Sequence, residues 1–122
     1  MNTKELLSRY TAGQRDFSNL NLMAANLRNM NLSGINLKGA NLTKANLTRT
    51  NLSHANLTGA ILSGANLTET SLAKANLTDA DLSNTNLEDA NLSQTYLRGA
   101  TMPNGMNPSN LTNNPKLATP WE

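Results

Sequence analysis

From Phe17 to Met102 a five-residue pattern recurs without an insertion or a deletion. Numbered by its central residue, each unit sits at 17, 22, 27 and so on to 102, which makes 18 units ((102 − 17)/5 + 1). Leu fills 16 of the centres, with Phe17 and Met102 at the two ends. The residue two before the centre is Ala in ten units and Thr in four: Thr50, Thr70, Thr85 and Thr95. The residue just before the centre is Asn in twelve units and Asp in two. The two residues after the centre are polar, charged or Gly almost throughout.

A period of five fits neither common element. Strands repeat every two residues and helices every 3.6, so neither keeps Leu on one face across the whole run. Fixed self-similarity at a short period signals a solenoid instead. In each unit one large and one small residue point inward and three point out, so the chain turns a corner every five residues. Four such sides close a coil of 20 residues. Coils stacked at the inter-strand spacing of about 4.8 Å then form a rod about 20 Å long. A lone coil buries too few leucines to offset the ordering of its backbone, so stacking is needed for stability. The Asn before each centre is expected to bond nearby backbone or to stack on its copy one coil on. The period alone leaves the hand and the number of sides open.

The clearest copies are Ala40-Asn41-Leu42-Thr43-Lys44, Ala45-Asn46-Leu47-Thr48-Arg49, Ala55-Asn56-Leu57-Thr58-Gly59 and Ala75-Asn76-Leu77-Thr78-Asp79. These units resemble the pentapeptide-repeat family, whose consensus is A(D/N)LXX. The resemblance implies an all-β solenoid, a right-handed quadrilateral β-helix of about 4.5 coils with 18 units at four to the coil. It implies no particular activity, since most members of the family have none established.

Three regions are expected. Residues 1–13 form an N-terminal capping helix, residues 14–104 the repeat β-helix and residues 105–122 a C-terminal tail. Asn2 is placed to cap the helix, with Glu5 three residues on. Leu6, Leu7 and Tyr10 are read onto one helix face, and Gly13 is a natural stop. The first coil of a solenoid exposes an apolar end and unpaired edges, and the helix is expected to lie across it as a lid. Leu20, Met30 and Ile35 replace Ala in the small inward slots of the first units, as if to receive that lid. Past Met102 the period ends. Pro103-Asn104-Gly105 reads as a turn, and the Asn- and Pro-rich tail holds Trp121 as a candidate anchor.

Charge is uneven along the rod. Residues 1–60 carry seven Lys and Arg against Glu5 and Asp16, a net of +5; residues 61–122 carry three against six acids, a net of −3. One side shows this most sharply, the one with centres 27, 47, 67 and 87. It carries Arg28 and Arg49, then Glu69, then Glu88 with Asp89. Those five residues are the candidate interaction surface, a dipolar docking face. Ile61 and Tyr96 replace Asn before a centre, and both are expected to be exposed without forming a patch.

Nothing in the chain assembles a catalytic set. His54 is the sole His and there is no Cys, so neither a His pair nor a thiolate is available for metal. Asp79 and Asp81 fall in different units, and Glu88 and Asp89 are adjacent exposed acids. A general acid–base pair needs a cleft that perturbs pKa, and a convex rod offers none. No cofactor is expected. Nucleic-acid binding is disfavoured, because the basic half has no aromatic platform and no recognition motif. Some family members resemble DNA in shape and charge and act on type II topoisomerases. That mimicry needs a densely acidic rod, whereas this chain has a net charge of +2. Thr43, Ser63 and Ser83 line one side, but Met23 and Pro103 interrupt any ice-binding row. The N-terminus lacks the apolar core of a signal peptide, and no run approaches the ~18 apolar residues of a membrane span. The expectation is a cytoplasmic, monomeric, non-enzymatic scaffold or protein-binding surface, its protein partner unknown. The alternative is a DNA-mimicking modulator of a type II topoisomerase.

Overall fold

The computed structural model describes residues 1–103. The expected turn at Asn104 and Gly105, the tail and its Trp121 lie outside the described residues. The one helix among them, α1, spans Thr3–Thr11. Its N-cap is Asn2, whose side chain accepts the Glu5 N–H at 2.8 Å. Glu5 pairs instead with Arg9, one turn on, at 2.7 Å. The helix ends at Ala12, and the Gly13 N–H donates back to the Tyr10 carbonyl with φ at 108°.

Beyond α1 the chain climbs as a stack. Residues pair in parallel with those twenty further on, from Asp16 with Asn36 to Asp81 with Thr101. Each turn of the chain therefore holds four five-residue units. Three backbone hydrogen bonds per unit join successive turns. Around Leu47 they run from the Leu47 N–H to Asn66 O (2.8 Å), from Arg49 N–H to Thr68 O (2.9 Å) and from Asn46 N–H to Ala25 O (2.9 Å). The pairings are isolated bridges, not extended strands. Five residues leave room for one bridging residue between corners, because the other positions make the turn.

The turn itself is uniform. The N–H of the small residue donates back to the preceding centre, as from Ala45 to Leu42 O at 3.0 Å. The residue two past the centre has positive φ in every unit from Asn19 to Gly99. A bond from i+3 to i with positive φ at i+2 is a type II turn, which favours Gly or Asn there. Only five of these positions are Gly; twelve carry a side chain, with φ between 56° and 62°.

Each Asn before a centre holds its own corner. Asn41 Oδ1 accepts the Thr43 N–H at 3.0 Å and the Thr43 hydroxyl at 2.6 Å, and Asn46 does the same with Thr48. The backbone bond recurs at all twelve Asn, which resolves the sequence alternatives in favour of backbone over stacking. Such a local bond contributes about 1 kcal/mol.

Asp16 and Asp81 fill the same role. The hydroxyl of Ser83, then its backbone N–H, hold the Asp81 carboxyl below its ordinary pKa, and Ser18 acts likewise on Asp16. A carboxylate whose folded pKa is depressed stabilises the fold above its unfolded value, near 3.8, and loses that contribution as pH falls through the folded one. Asp81→Asn should therefore melt like the parent at pH 7, since Asn makes the same bond in twelve other units. Between pH 5 and pH 2 its melting temperature should fall less than the parent's. Parallel acid-induced losses in the two proteins would show that Asp81 is not part of the acid response.

The interior is a column of centres. Leu27 to Leu82 have no exposed surface, and Ala fills the slots between them. Where Thr takes the small slot its hydroxyl reaches a carbonyl of the turn below. Thr50 Oγ1 donates to Leu27 O and Thr70 Oγ1 to Leu47 O, both at 2.6 Å, and Thr95 Oγ1 to Leu72 O at 2.9 Å. Thr85 bonds instead to Leu82 O, three residues back.

The helix docks on the first turn. Leu6 is fully buried in the same cluster as Phe17, Leu22 and Leu27. Tyr10 Oη donates to the Ser33 carbonyl at 2.6 Å, and the Arg15 guanidinium lies 3.7 Å over the Tyr10 ring. Leu20 and Met30 pack partly buried beneath, and Ile35 is buried. Leu7 does not share this face. It is 37% exposed, because Leu6 and Tyr10, four apart, define the buried stripe and Leu7 is rotated about 100° from Leu6.

Candidate functional site

The twenty-residue return places Leu27, Leu47, Leu67 and Leu87 in one stack, and their flanking polar residues form vertical columns outside it. Asn29, Arg49, Glu69 and Asp89 make one column, all at the positive-φ corner. Arg28, Thr48, Thr68 and Glu88 make the column beside it. The five residues named from the sequence, Arg28, Arg49, Glu69, Glu88 and Asp89, are all exposed on this side.

Arg49 joins its column. Its Nη1 lies 3.3 Å from Glu69 Oε2 one turn above, and its Nε donates to Asn29 Oδ1 at 3.1 Å one turn below. Both partners of the ion pair are about half exposed, at 54% and 48%, so the pair contributes at most about 1 kcal/mol to stability. Arg28, Glu88 and Asp89 form no ion pair among the described residues. The structure thus brings Arg49 and Glu69 into contact and leaves the outer charges facing water. Asn29, which fixes the Arg49 head group, was not singled out from the sequence. Its signal was the twenty-residue spacing to Arg49.

A second feature lies near the C-terminal end of the described chain. Asn76, Thr78, Tyr96 and Arg98 line an open groove of about 370 Å³. Tyr96 and Ile61 are exposed as expected, at 42% and 41%. The groove offers a ring, a guanidinium, an amide and a hydroxyl, and these do not make a nucleophile–base set. Among the described residues no three His, Asp or Glu side chains gather as a metal site would require, and no helix is long and apolar enough to cross a membrane.

No curated protein matches the sequence significantly. Among solved structures, the pentapeptide-repeat protein alr5209 of Nostoc PCC 7120 is 31% identical, covering 99% of this chain and 96% of that one, with a TM-score of 0.66. HetL, a pentapeptide-repeat protein involved in heterocyst differentiation regulation in Nostoc sp. strain PCC 7120, is 32% identical with a TM-score of 0.51. The match covers 84% of this chain but 57% of HetL, so the chain spans little more than half of HetL's length. QnrB1, a plasmid-mediated fluoroquinolone resistance protein, is 21% identical over 71% of this chain and 55% of its own, with a TM-score of 0.53, a likeness of fold alone. The pentapeptide-repeats family model matches residues 21–59, 50–89 and 60–99. With its units locked in a twenty-residue parallel return, the chain belongs to the pentapeptide-repeat family.

Proposed function

We propose that this protein is a non-enzymatic scaffold of the cytoplasm, a right-handed quadrilateral β-helix of about 4.5 coils (18 units at four to the coil) that docks a protein partner. The docking face is the stack through Leu27, Leu47, Leu67 and Leu87. The observation that carries this reading is the charged column Asn29–Arg49–Glu69, continuous through three turns by side-chain contacts. A rigid ladder holds charges at a fixed rise of about 4.8 Å, and little side-chain entropy remains to be lost when a partner binds.

Capture from native extract tests it, with wild type and Arg49→Glu compared at low and high salt. A partner retained by wild type at low salt and lost by the variant is the expected result. Equal retention by both proteins would move the docking face elsewhere on the rod. The alternative, a DNA-mimicking modulator of a type II topoisomerase, draws on five of the acids after residue 61, namely Glu69, Asp79, Asp81, Glu88 and Asp89. It ranks second because Arg28, Lys38, Lys44 and Arg49 occupy the other half of the same rod.

A further inference from the structure

We infer that the charged stack is self-complementary and that its partner is a second copy of this chain, packed face to face and antiparallel. The inference rests on the docking face proposed above and names what covers it. It departs from the monomer expected from the sequence.

Place a two-fold axis in the plane between two such faces, perpendicular to the stack and midway between the turns of Leu47 and Leu67. The operation keeps each residue in its own column and inverts its height. Arg49 then faces Glu69 of the second copy, and Glu69 faces its Arg49. Arg28 faces Glu88 of the second copy, with Asp89 in the adjoining column opposite Asn29. Thr48 meets Thr68, and Asn46 meets Asn66. No opposed pair is of like charge, and among the charged residues Asp89 alone faces a neutral partner, the Asn29 amide. Arg49 and Glu69 already touch within one copy at 3.3 Å, so the centre becomes an alternating square of four charges.

The register is fixed by repulsion as well as attraction. Moving the axis to the turn of Leu47 sets Arg49 against Arg49, and moving it to the turn of Leu67 sets Glu69 against Glu69. Like-charge opposition of this kind suppresses wrong pairings. The other stacks lack such symmetry. With the axis at the turn of Leu57, the middle of the first stack, Lys38 would meet Thr78, and with the axis midway between the turns of Leu42 and Leu62 in the second, Lys44 would meet Gly64.

Corner chemistry singles out the same stack. Its four positive-φ corners, Asn29, Arg49, Glu69 and Asp89, all carry a side chain, while each other stack includes at least one Gly there. A side chain at such a corner is strained where Gly is not, so the column retains its polar groups at a cost in backbone energy.

The face is small. Four turns high and about three extended residues wide, it offers roughly 200 Å² per copy, well below the roughly 800 Å² per partner of stable complexes. The dimer is therefore weak, electrostatic and sensitive to salt.

Sedimentation or small-angle scattering at about 1 mM protein tests it, at roughly 20 mM and 500 mM salt. Wild type should approach a dimer at low salt and return to monomer at high salt. Arg49→Glu and Glu69→Arg should each weaken association by about tenfold or more. An equimolar mixture of the two variants should associate again, because antiparallel pairing sets the altered position of one against the altered position of the other. Circular dichroism checks that both half-exposed substitutions leave the fold intact. A wild type that stays monomeric at low salt, or a mixture that fails to recover, overturns the inference. Should wild type stay monomeric while Arg49→Glu still loses a captured partner, the docking face stands and the second copy does not.

Discussion

Leu57→Lys should abolish cooperative folding of the rod. Leu57 has no exposed surface and sits in the middle of the stack, with Leu37 one turn below and Leu77 one turn above. Removing the buried Leu forfeits about 1.5–3 kcal/mol of apolar burial. The ammonium must then lie unpaired at the centre of the column or give up its proton, and either outcome costs several kcal/mol more. A domain of this size has a margin of about 5–15 kcal/mol in total. Position makes the loss worse, because a repeat stack is stable through its nearest-neighbour interfaces. A charge between the turns of Leu37 and Leu77 leaves a short segment on each side. Thermal melting followed by circular dichroism should show no cooperative transition at room temperature or above. A melting temperature equal to the parent's would refute the inward placement of the centres.

That placement was legible in the sequence because a five-residue period with Leu at the centre admits few other structures. The small slots were legible for the same reason, whereas the sequence left the Asn before each centre between backbone bonding and stacking, and only the geometry of the corner decided for the backbone. The corners were less so. Gly at 34, 39, 59, 64 and 99 marked them, but Arg49, Lys74 and Glu69 adopt the same positive φ without resembling turn residues. Their conformation follows from the register they share with those glycines, as the stack imposes one turn type on whatever side chain falls there. The candidate face was found as a list of charges at one spacing. Its geometry required the twenty-residue return, which sets Arg49 between Asn29 and Glu69 and leaves Arg28 without an ion pair. Leu7 was misread because a nine-residue helix buries a narrow stripe. Hydrophobicity alone does not say which of two adjacent leucines lies at its centre.

The difference between those two leucines sets the second large effect, expected of Leu6→Asp. Leu6 is fully buried against the first turn, and Leu7 is 37% exposed. An Asp at position 6 would put a carboxylate against Phe17, Leu22 and Leu27, members of the same cluster. The cost is roughly 3 kcal/mol or more. The Tyr10–Ser33 hydrogen bond, worth about 1 kcal/mol, cannot hold the helix against it. The helix should detach, and the apolar end of the stack with its unpaired edge should open to water and to other chains. Amide exchange should then speed up first in residues 16–36, which hold the lowest turn, while the amides of Leu57 to Leu72 retain protection, since opening in a stack spreads from its end. The variant should also self-associate at concentrations where the parent does not. Leu7→Asp is the matched control, with the same charge on the same helix, and should leave both observables unchanged. If the two variants behaved alike, α1 would not be the lid of this stack and the burial of Leu6 would have another purpose. If Leu6→Asp raised exchange uniformly along the rod, the lid would be needed for the whole stack to fold, and the turns would not be stable beyond their neighbours.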